Sequence, residues 1–279
     1  MWRLKLKSKY TSIICGIIVI TSIFSNYYCY KTSSLLIRLK HHGRLPVAYI
    51  ITVPGYDQRV TSVMHVFKKY AQIDLRRFNG IRFSYQSHVK NGSLTVGEQS
   101  LRATMAKFFN MIIRKNHEKV FVFEDDAIPH RNFTVLFKQL PSRCLEADVL
   151  LLGATIWHSK HTDWPSEACF DADRATFGAF ALLLKRKSYR PILRWLKFGT
   201  PKPYDHVYRY LQQQKISVRV AFPPFLVIPD VSHLSLINNN RSDIQFDMEK
   251  RAEQHLWHLK DYPMTRIPIH SMKNNRRKE

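Results

Sequence analysis

The sequence has little acid and little cysteine. Against 44 lysines and arginines, the 279 residues include only 21 aspartates and glutamates, which leaves a formal net charge of +23. Only four cysteines occur, and the chain has no zinc-binding Cys/His pattern, no RNA-recognition aromatic motif and no basic-region heptad. The excess of positive charge predicts an anionic partner, but the motifs of the common nucleic-acid-binding modules are absent.

Charge is missing altogether from Tyr10 to Tyr30, and this stretch contains the most apolar run of the chain, Ile13–Ile20. At ~1.5 Å per residue the stretch reaches ~31 Å, about the thickness of the hydrocarbon layer. The residues around Ser25 make a poor cleavage site, so we expect a retained signal-anchor rather than a removed signal peptide. Equal numbers of cations flank the span, so the positive-inside rule does not decide its orientation.

The rest of the chain carries signals of the secretory pathway. Sequons begin at Asn91, Asn132 and Asn240. Cys144 and Cys169 are the only cysteines outside the predicted span, and they permit either one disulfide or two free thiols. We therefore predict a single-pass type II protein of the Golgi or endoplasmic reticulum membrane with its body in the lumen. Behind such an anchor the expected anionic partner is a nucleotide diphosphate, an acidic glycan or lipid headgroups, and no nucleic acid.

Composition divides the chain into five predicted segments. They are a basic cytoplasmic tail (1–9), the signal-anchor helix (10–30), a stem (31–46), a folded domain (47–245) and a C-terminal helix with a basic tail (246–279).

Within the folded domain, apolar runs alternate with amphipathic stretches. Strands are predicted at 47–53, 75–78, 120–123, 148–153, 177–184 and 216–220, and helices at 60–73, 97–115, 189–196 and 205–214. This alternation predicts an α/β fold with a mostly parallel sheet flanked by helices. Ligands of such folds bind beyond the carboxyl ends of the strands.

One strand end carries three consecutive acids. The apolar run Val120–Phe123 leads directly into Glu124, Asp125 and Asp126, the acid triplet. In an extended chain the first and third acids point to the same side, and their repulsion calls for a cation, for which a hard divalent ion is the simplest candidate. The alternative is a solvated strand end without a role.

Seven motifs follow one another between residues 47 and 245. They are Ile50–Val53 with Arg59, Asn79-Gly80, Gly97-Glu98, Val122–Asp126 with Pro129, Thr176–Phe180, Pro203-Tyr204-Asp205 and Phe222–Val227. In this order they resemble glycosyltransferase family 25, which includes lipooligosaccharide and collagen galactosyltransferases.

The resemblance implies a GT-A type nucleotide-sugar-binding domain. The donor would be a UDP-sugar, with galactose or glucose expected, and the acceptor a hydroxyl of a glycan or glycoprotein. Mn²⁺ or another divalent cation would be held by Glu124 and Asp126, with His233 as a further ligand. Glu124 would reach the metal or the ribose, Asp125 would hold the loop near the donor, and Arg59 would pair with the donor phosphates.

The family inverts the sugar configuration, so the resemblance also implies a base for the acceptor hydroxyl. Asp205 is the first candidate and Asp173 a weaker one. On local chemistry Asp205 is equally suited to cap a helix.

Two other functions remain open. The family has a Gly-Cys step and a Ser-His pair where this chain has Ser100, Leu101, Thr104 and Met105. A non-catalytic, glycosyltransferase-like binding protein of the secretory pathway is therefore the main alternative. The third possibility is a membrane-tethered basic protein that meets nucleic acid or acidic lipid in the cytosol.

Overall fold

The computed structural model describes residues 45–83, 94–156, 169–173, 176–221, 224–230 and 258–263. The predicted basic tail and span and almost all of the predicted stem lie outside these ranges. In the part of the chain that is described, no helix is both long enough and apolar enough to cross a membrane. The described residues from Pro46 onward belong to one compact unit.

The described residues form eleven strands and six α-helices. The strands are β1 Val47–Thr52, β2 Leu75–Asn79, β3 Lys119–Glu124, β4 Ala127–Pro129, β5 Val149–Leu151, β6 Thr155–Ile156, β7 Cys169–Asp171, β8 Thr176–Phe177, β9 Ala181–Lys185, β10 Val218–Ala221 and β11 Val227–Pro229. The helices are α1 Asp57–Val66, α2 Val96–Arg114, α3 Phe133–Gln139, α4 Ser142–Leu145, α5 Arg186–Phe198 and α6 Val207–Gln213. A π-helical turn, Phe67–Ala71, extends α1, and 3-10 turns lie at Tyr204–His206 and Leu259–Asp261.

Seven strands form the central sheet in the order β2-β1-β3-β9-β5-β10-β7. Strands β1, β2 and β3 are parallel to one another, as are β5 and β10, whereas β9 and the edge strand β7 run antiparallel to their neighbours. Five strands thus share one direction, which confirms the predicted α/β class with a mostly parallel sheet.

Helices cover both faces of this sheet. Side chains of successive strand residues point to opposite faces, so Val120 and Val122 of β3 pack with α2, α5 and α6, while Phe121 and Phe123 pack with α1, α3 and α4. Both faces of β3 are therefore dry, as its continuous apolar run predicts.

Helix α2 confirms the predicted helix at 97–115 and begins with a capping box. The Thr95 hydroxyl accepts a bond from the Glu98 amide at 3.2 Å, and the Glu98 carboxylate accepts one from the Thr95 amide at 2.7 Å. Further along α2, Ser100 accepts a bond from the Phe83 amide at 3.1 Å and Thr104 one from the Ile81 amide at 2.8 Å. Ser100 and Thr104 thus fix the chain that follows β2.

The predicted strand 177–184 is wrong in one respect, because the structure breaks it into β8 and β9. Gly178 has φ of +116°, a left-handed conformation that interrupts an extended strand and suits glycine. The segment that follows Gly178 leads into β9, and the Phe180 carbonyl accepts a bond from the Glu124 amide at 2.9 Å. The break thus brings the loop Gly178–Phe180, called the glycine loop below, to the carboxyl end of β3.

Cys144 and Cys169 form a disulfide with a Cα–Cα distance of 5.7 Å. It joins α4 to the edge strand β7, and both residues are buried. This resolves the choice between a bridge and two free thiols that the sequence leaves open.

A small antiparallel pair, β4–β11, lies directly beyond the acid triplet. The 258–263 segment packs beside it, where the Tyr262 hydroxyl donates to the Phe225 carbonyl and the Arg131 amide donates to the Asp261 carbonyl at 2.8 Å. The pairing of β4 with β11 is not predicted from the sequence. Residues 258–263, which contain a 3-10 turn, are the described part of the segment for which a C-terminal helix and basic tail are predicted, and the rest of that segment lies outside the described residues.

Candidate active site

The acid triplet lies where the sequence predicts it, at the carboxyl end of β3, between β1 and β9 in the middle of the sheet. Glu124 and Asp125 are half-buried, and Asp126 is 4% exposed. Since β1, β2 and β3 are parallel, the carboxyl ends of three strands meet at this edge. This is the edge at which α/β proteins bind ligands.

Arg59 brings a guanidinium to two of the three acids. Its Nη2 lies 3.3 Å from Asp125 Oδ1 and 3.5 Å from Asp126 Oδ2, and its Nε donates to the Asp125 carbonyl oxygen at 2.9 Å. The Thr52 hydroxyl, from the last residue of β1, donates to Asp125 Oδ2 at 2.6 Å. Helix α1 and strand β1 together therefore fix the conformation of the triplet.

Asp230, which comes much later in the chain, contacts the acid triplet. It directly follows β11, its side chain is 3% exposed, and its amide donates to the Asp126 carbonyl at 2.6 Å. No role is predicted for Asp230 from the sequence. The signal available was its position directly after an apolar run, Phe225–Pro229, which is the pattern that marks the triplet itself.

Asp205 lies on the other side of the glycine loop. Its Oδ2 accepts a bond from the Gly178 amide at 3.4 Å, and the Tyr208 hydroxyl donates to the Gly178 carbonyl at 2.6 Å. Burial raises the pKa of Asp205, although the charge of His206 and the Gly178 amide act in the opposite direction. A carboxyl group with a raised pKa is better matched to accepting a proton near neutral pH.

Tyr204 is buried near both Asp205 and Glu124. Burial raises the pKa of its hydroxyl, and the negative charges of Glu124 and Asp205 raise it further. Its hydroxyl has no hydrogen-bond partner among the described residues. The two acids are thus close enough to act on one buried side chain.

A cleft of about 690 Å³ opens beside Asp205. It lies between α5, α6 and strand β8, and Asp173 also contributes to its wall. Asp173 Oδ1 accepts a bond from the Thr176 hydroxyl at 3.1 Å. Both acids predicted as candidate bases therefore line one cleft.

The structure brings most of the predicted site residues together. Arg59, Glu124, Asp125 and Asp126 form one cluster, while Asp205 and Asp173 lie across the glycine loop. His233 lies outside the described residues. The roles assigned to all of these residues stay predictions.

The donor chemistry of the triplet fits a hard divalent cation, since carboxylate oxygens are the ligands that such ions prefer. Within the described ranges, however, no three His, Cys, Asp or Glu side chains are arranged to hold a metal ion. The positive charge that the described residues supply to the triplet is the guanidinium of Arg59. A metal ion held by Glu124 and Asp126 therefore stays a prediction.

No protein-family model matches the sequence, and no curated protein matches it significantly. Among solved structures, the chain is similar to a glycosyltransferase involved in the glycosylation of the major capsid of PBCV-1, at 9% identity and a TM-score of 0.40 over 74% of this chain and 100% of that one. It is also similar to the inositol-1-phosphate CTP transferase of T. maritima, at 13% identity and a TM-score of 0.36 over 78% and 81% of the two chains. A third is the glycosyltransferase GlyE of Streptococcus pneumoniae, at 8% identity and a TM-score of 0.35 over 63% and 45%. Likenesses this distant assign neither a family nor an activity, and membership of family 25 stays a prediction.

Proposed function

We propose that the protein is an inverting, metal-dependent glycosyltransferase that moves a sugar, galactose or glucose, from a UDP-sugar to a hydroxyl of a glycan or glycoprotein. The observation that supports this most is the pairing of two sites across one glycine loop. The acid triplet ends the central strand β3, and Asp205, whose pKa is raised, lies beside an open cleft on the other side. A donor at the triplet and an acceptor in the cleft would then meet at Gly178–Phe180.

The reaction needs a base, and Asp205 is the group we assign to it. Its carboxylate takes the proton of the acceptor hydroxyl while that oxygen forms a bond to the anomeric carbon from the face opposite the diphosphate. The bond between that carbon and the diphosphate oxygen breaks, UDP leaves with the electron pair, and the proton passes from Asp205 to solvent. A divalent ion such as Mn²⁺ at Asp126 and Glu124 would stabilise the negative charge of the departing diphosphate.

The test compares two acids of one cleft. Asp205→Asn is expected to lower kcat by about 10²- to 10⁴-fold, the usual contribution of a general base, while UDP still raises the melting temperature in the presence of Mn²⁺. Asp173→Asn is the matched control and should retain most of the activity, because Asp173 is exposed, whereas burial raises the pKa of Asp205. The reverse result would transfer the role to Asp173, and full activity in both variants would contradict the assignment of a base in this cleft.

Donor binding is measured on its own by thermal shift with UDP, with and without Mn²⁺. At 100 times its dissociation constant a ligand adds ~2.7 kcal/mol to the free energy of unfolding, which is readily detected. Asp126→Ala should abolish the Mn²⁺-dependent part. A shift that is unchanged in this variant would argue against a metal at the triplet.

One observation favours the second candidate, a non-catalytic glycosyltransferase-like binding protein. Arg59 already places a positive charge on Asp125 and Asp126, where a catalytic cation would act. UDP binding that is independent of Mn²⁺, without turnover across many acceptors, would support this candidate.

We also propose that the body lies in the lumen of the Golgi or endoplasmic reticulum, behind the predicted span 10–30. The buried Cys144–Cys169 disulfide supports an oxidising compartment. Asn132, the acceptor of one sequon, is exposed at the start of α3. A glycosidase-sensitive mass shift that disappears in Asn132→Gln is expected, and a chain without glycan on any of its three sequons would contradict this placement.

A further inference from the structure

The cleft beside Asp205 has a cationic rim. Arg194 of α5, Lys202 of the α5–α6 connection and Arg209 of α6 line it, and all three are exposed. Among the described residues none of them has an ion-pair partner, whereas Lys187 pairs with Asp148 and Arg219 with Asp171 elsewhere on the surface. Three cations around one concave surface raise the local concentration of anions.

Two acids, Asp173 and Asp205, also line this cleft. The Asp173 carboxylate accepts a bond from Thr176, and the Asp205 carboxylate accepts one from the Gly178 amide, within the wall of the cleft. The rim is therefore available to a ligand from solution.

Aromatic rings line the same cleft. Phe198, at the end of α5, is 83% exposed, and Phe177 and Tyr210 are half-buried in the same lining. An exposed phenylalanine beside a cleft is an apolar contact surface that a bound ligand can cover. Rings of this kind can pack against the apolar face of a sugar, while the cations bind charged substituents of that sugar.

We infer that this cleft binds an acidic sugar, the acceptor, through Arg194, Lys202 and Arg209 acting on its carboxylate, phosphate or sulfate groups. The word acceptor rests on the proposed function, but the binding of an acidic sugar does not. Arginine suits this task because its planar guanidinium binds a carboxylate or phosphate through two parallel hydrogen bonds. A donor diphosphate belongs elsewhere, since neither Arg59 nor any residue of the acid triplet lines this cleft.

The experiment uses calorimetric titration of the full chain in detergent, with and without UDP. The probe is the trimer of galacturonic acid, and its neutral control is the fully methyl-esterified trimer, which has the same rings without the charges. We expect the acid to bind at least tenfold more tightly than the ester. The double variant Arg194→Gln/Arg209→Gln should weaken binding of the acid by about five- to thirtyfold, which corresponds to the loss of two exposed ion pairs.

Lys197→Gln is the matched control variant. Lys197 is an exposed cation on the same helix as Arg194 but does not line the cleft, so binding of the acid should stay within about twofold of the wild type. Equal binding of acid and ester, or equal weakening by the control variant, would overturn the inference.

Two competitors separate this site from other anion sites. UDP should not displace the acidic trimer, and displacement would assign the rim to the donor instead. A single-stranded hexamer of thymidylate should bind weakly and without dependence on Arg194 and Arg209, and tight binding that depends on them would make the cleft a nucleic-acid site. If UDP does not bind but the acidic trimer does, the result contradicts the proposed sugar transfer and supports the binding of an acidic sugar in this cleft.

Discussion

At the scale of single residues, Arg59 places a positive charge beside two of the three acids of the triplet. The sequence predicts that a cation offsets the three acids, and a divalent ion is the simplest candidate. In the structure α1 supplies a guanidinium to Asp125 and Asp126. The side chains of all three residues are less than one-fifth exposed, so this interaction is screened far less than an ion pair on the open surface.

Replacing Arg59 by methionine removes this charge and keeps much of the volume. We expect the free energy of unfolding to fall by about 1–3 kcal/mol, because two poorly solvated carboxylates lose a charged partner. Urea denaturation measures this change. Arg76→Met is the matched control, since Arg76 is exposed on β2 and has no ion pair among the described residues, and its effect should stay within about 0.5 kcal/mol.

The double variant Arg59→Met/Asp125→Asn tests the physical cause. If charge pairing matters, the second substitution should cost less in the Arg59→Met background than in the wild type. Strictly additive effects would mean that the charge of Asp125 contributes nothing to the stabilisation by Arg59. A Mn²⁺-induced thermal shift that grows in Arg59→Met would show that the guanidinium and a metal ion compete for the same oxygens.

The candidate site shows what residue patterns can and cannot predict. The triplet is found from the sequence because the strand and the acids are contiguous. Asp205 is predicted only from the resemblance. Burial raises its pKa, and its contact with the Gly178 amide joins residues 27 positions apart in the chain, so neither feature is visible in a local pattern. Asp230 is missed because its contact with Asp126 requires β4 and β11 to pair, and strand pairing across this separation leaves no local pattern.

Among the helices and strands, those with a strong local sequence pattern are predicted best. Strand β3 and helix α2 match within one or two residues, since a continuous apolar run and a three- and four-residue spacing of apolar side chains are both local signals. Helix α5 is three residues longer at its start and two at its end than the predicted 189–196. No side-chain cap marks its start, and Pro191 lies inside it, so the sequence gives no clear local signal for its ends. The three-residue strands β4 and β11 are too short for periodicity to reveal them.

Gly153 is the point where two elements approach most tightly beside the site. A Cβ there would lie 2.0 Å from the Val227 carbonyl oxygen and 3.0 Å from the Phe180 ring. The Leu152 carbonyl accepts bonds from the amides of both Leu226 and Val227, at 2.8 Å and 3.1 Å, so the backbone of β11 cannot easily move away. The end of β5 and the start of β11 are therefore packed at a distance that only glycine allows.

Gly153→Ala is accordingly expected to lower the free energy of unfolding by about 2–3 kcal/mol, the upper range for overpacking a tight site. Displacement of β11 would also disturb Asp126, whose carbonyl accepts the Asp230 amide, so UDP binding should weaken as well. Thermal denaturation and the UDP-induced shift measure the two effects. Gly97→Ala, in the first turn of α2, is the control and should be neutral or stabilising by up to ~1 kcal/mol; equal stability of the two variants would contradict this packing.

At the scale of the whole molecule, the two sites depend on different parts of one sheet. The acid triplet lies at the centre, where β3 is dry on both faces, and the cleft lies at α5 and α6 on one face only. The other face carries the disulfide, which ties α4 to the edge strand β7. Covalent closure at this edge stabilises the sheet without contributing a group to either site.

The disulfide gives a prediction that concerns the entire chain. Replacing Cys144 and Cys169 by alanine opens a loop of 25 residues, and the chain-entropy estimate gives a loss of about 3.5 kcal/mol in the free energy of unfolding. Because both cysteines are buried, reductant should act on the wild type only slowly under native conditions and should reproduce the loss once the chain is unfolded and refolded in its presence. Urea denaturation of the wild type with and without reductant, and of the double alanine variant, measures these effects.

Since the bridge lies away from the triplet, UDP binding to the folded double variant should be unchanged. A variant as stable as the oxidised wild type would show that the bridge does not constrain the unfolded chain.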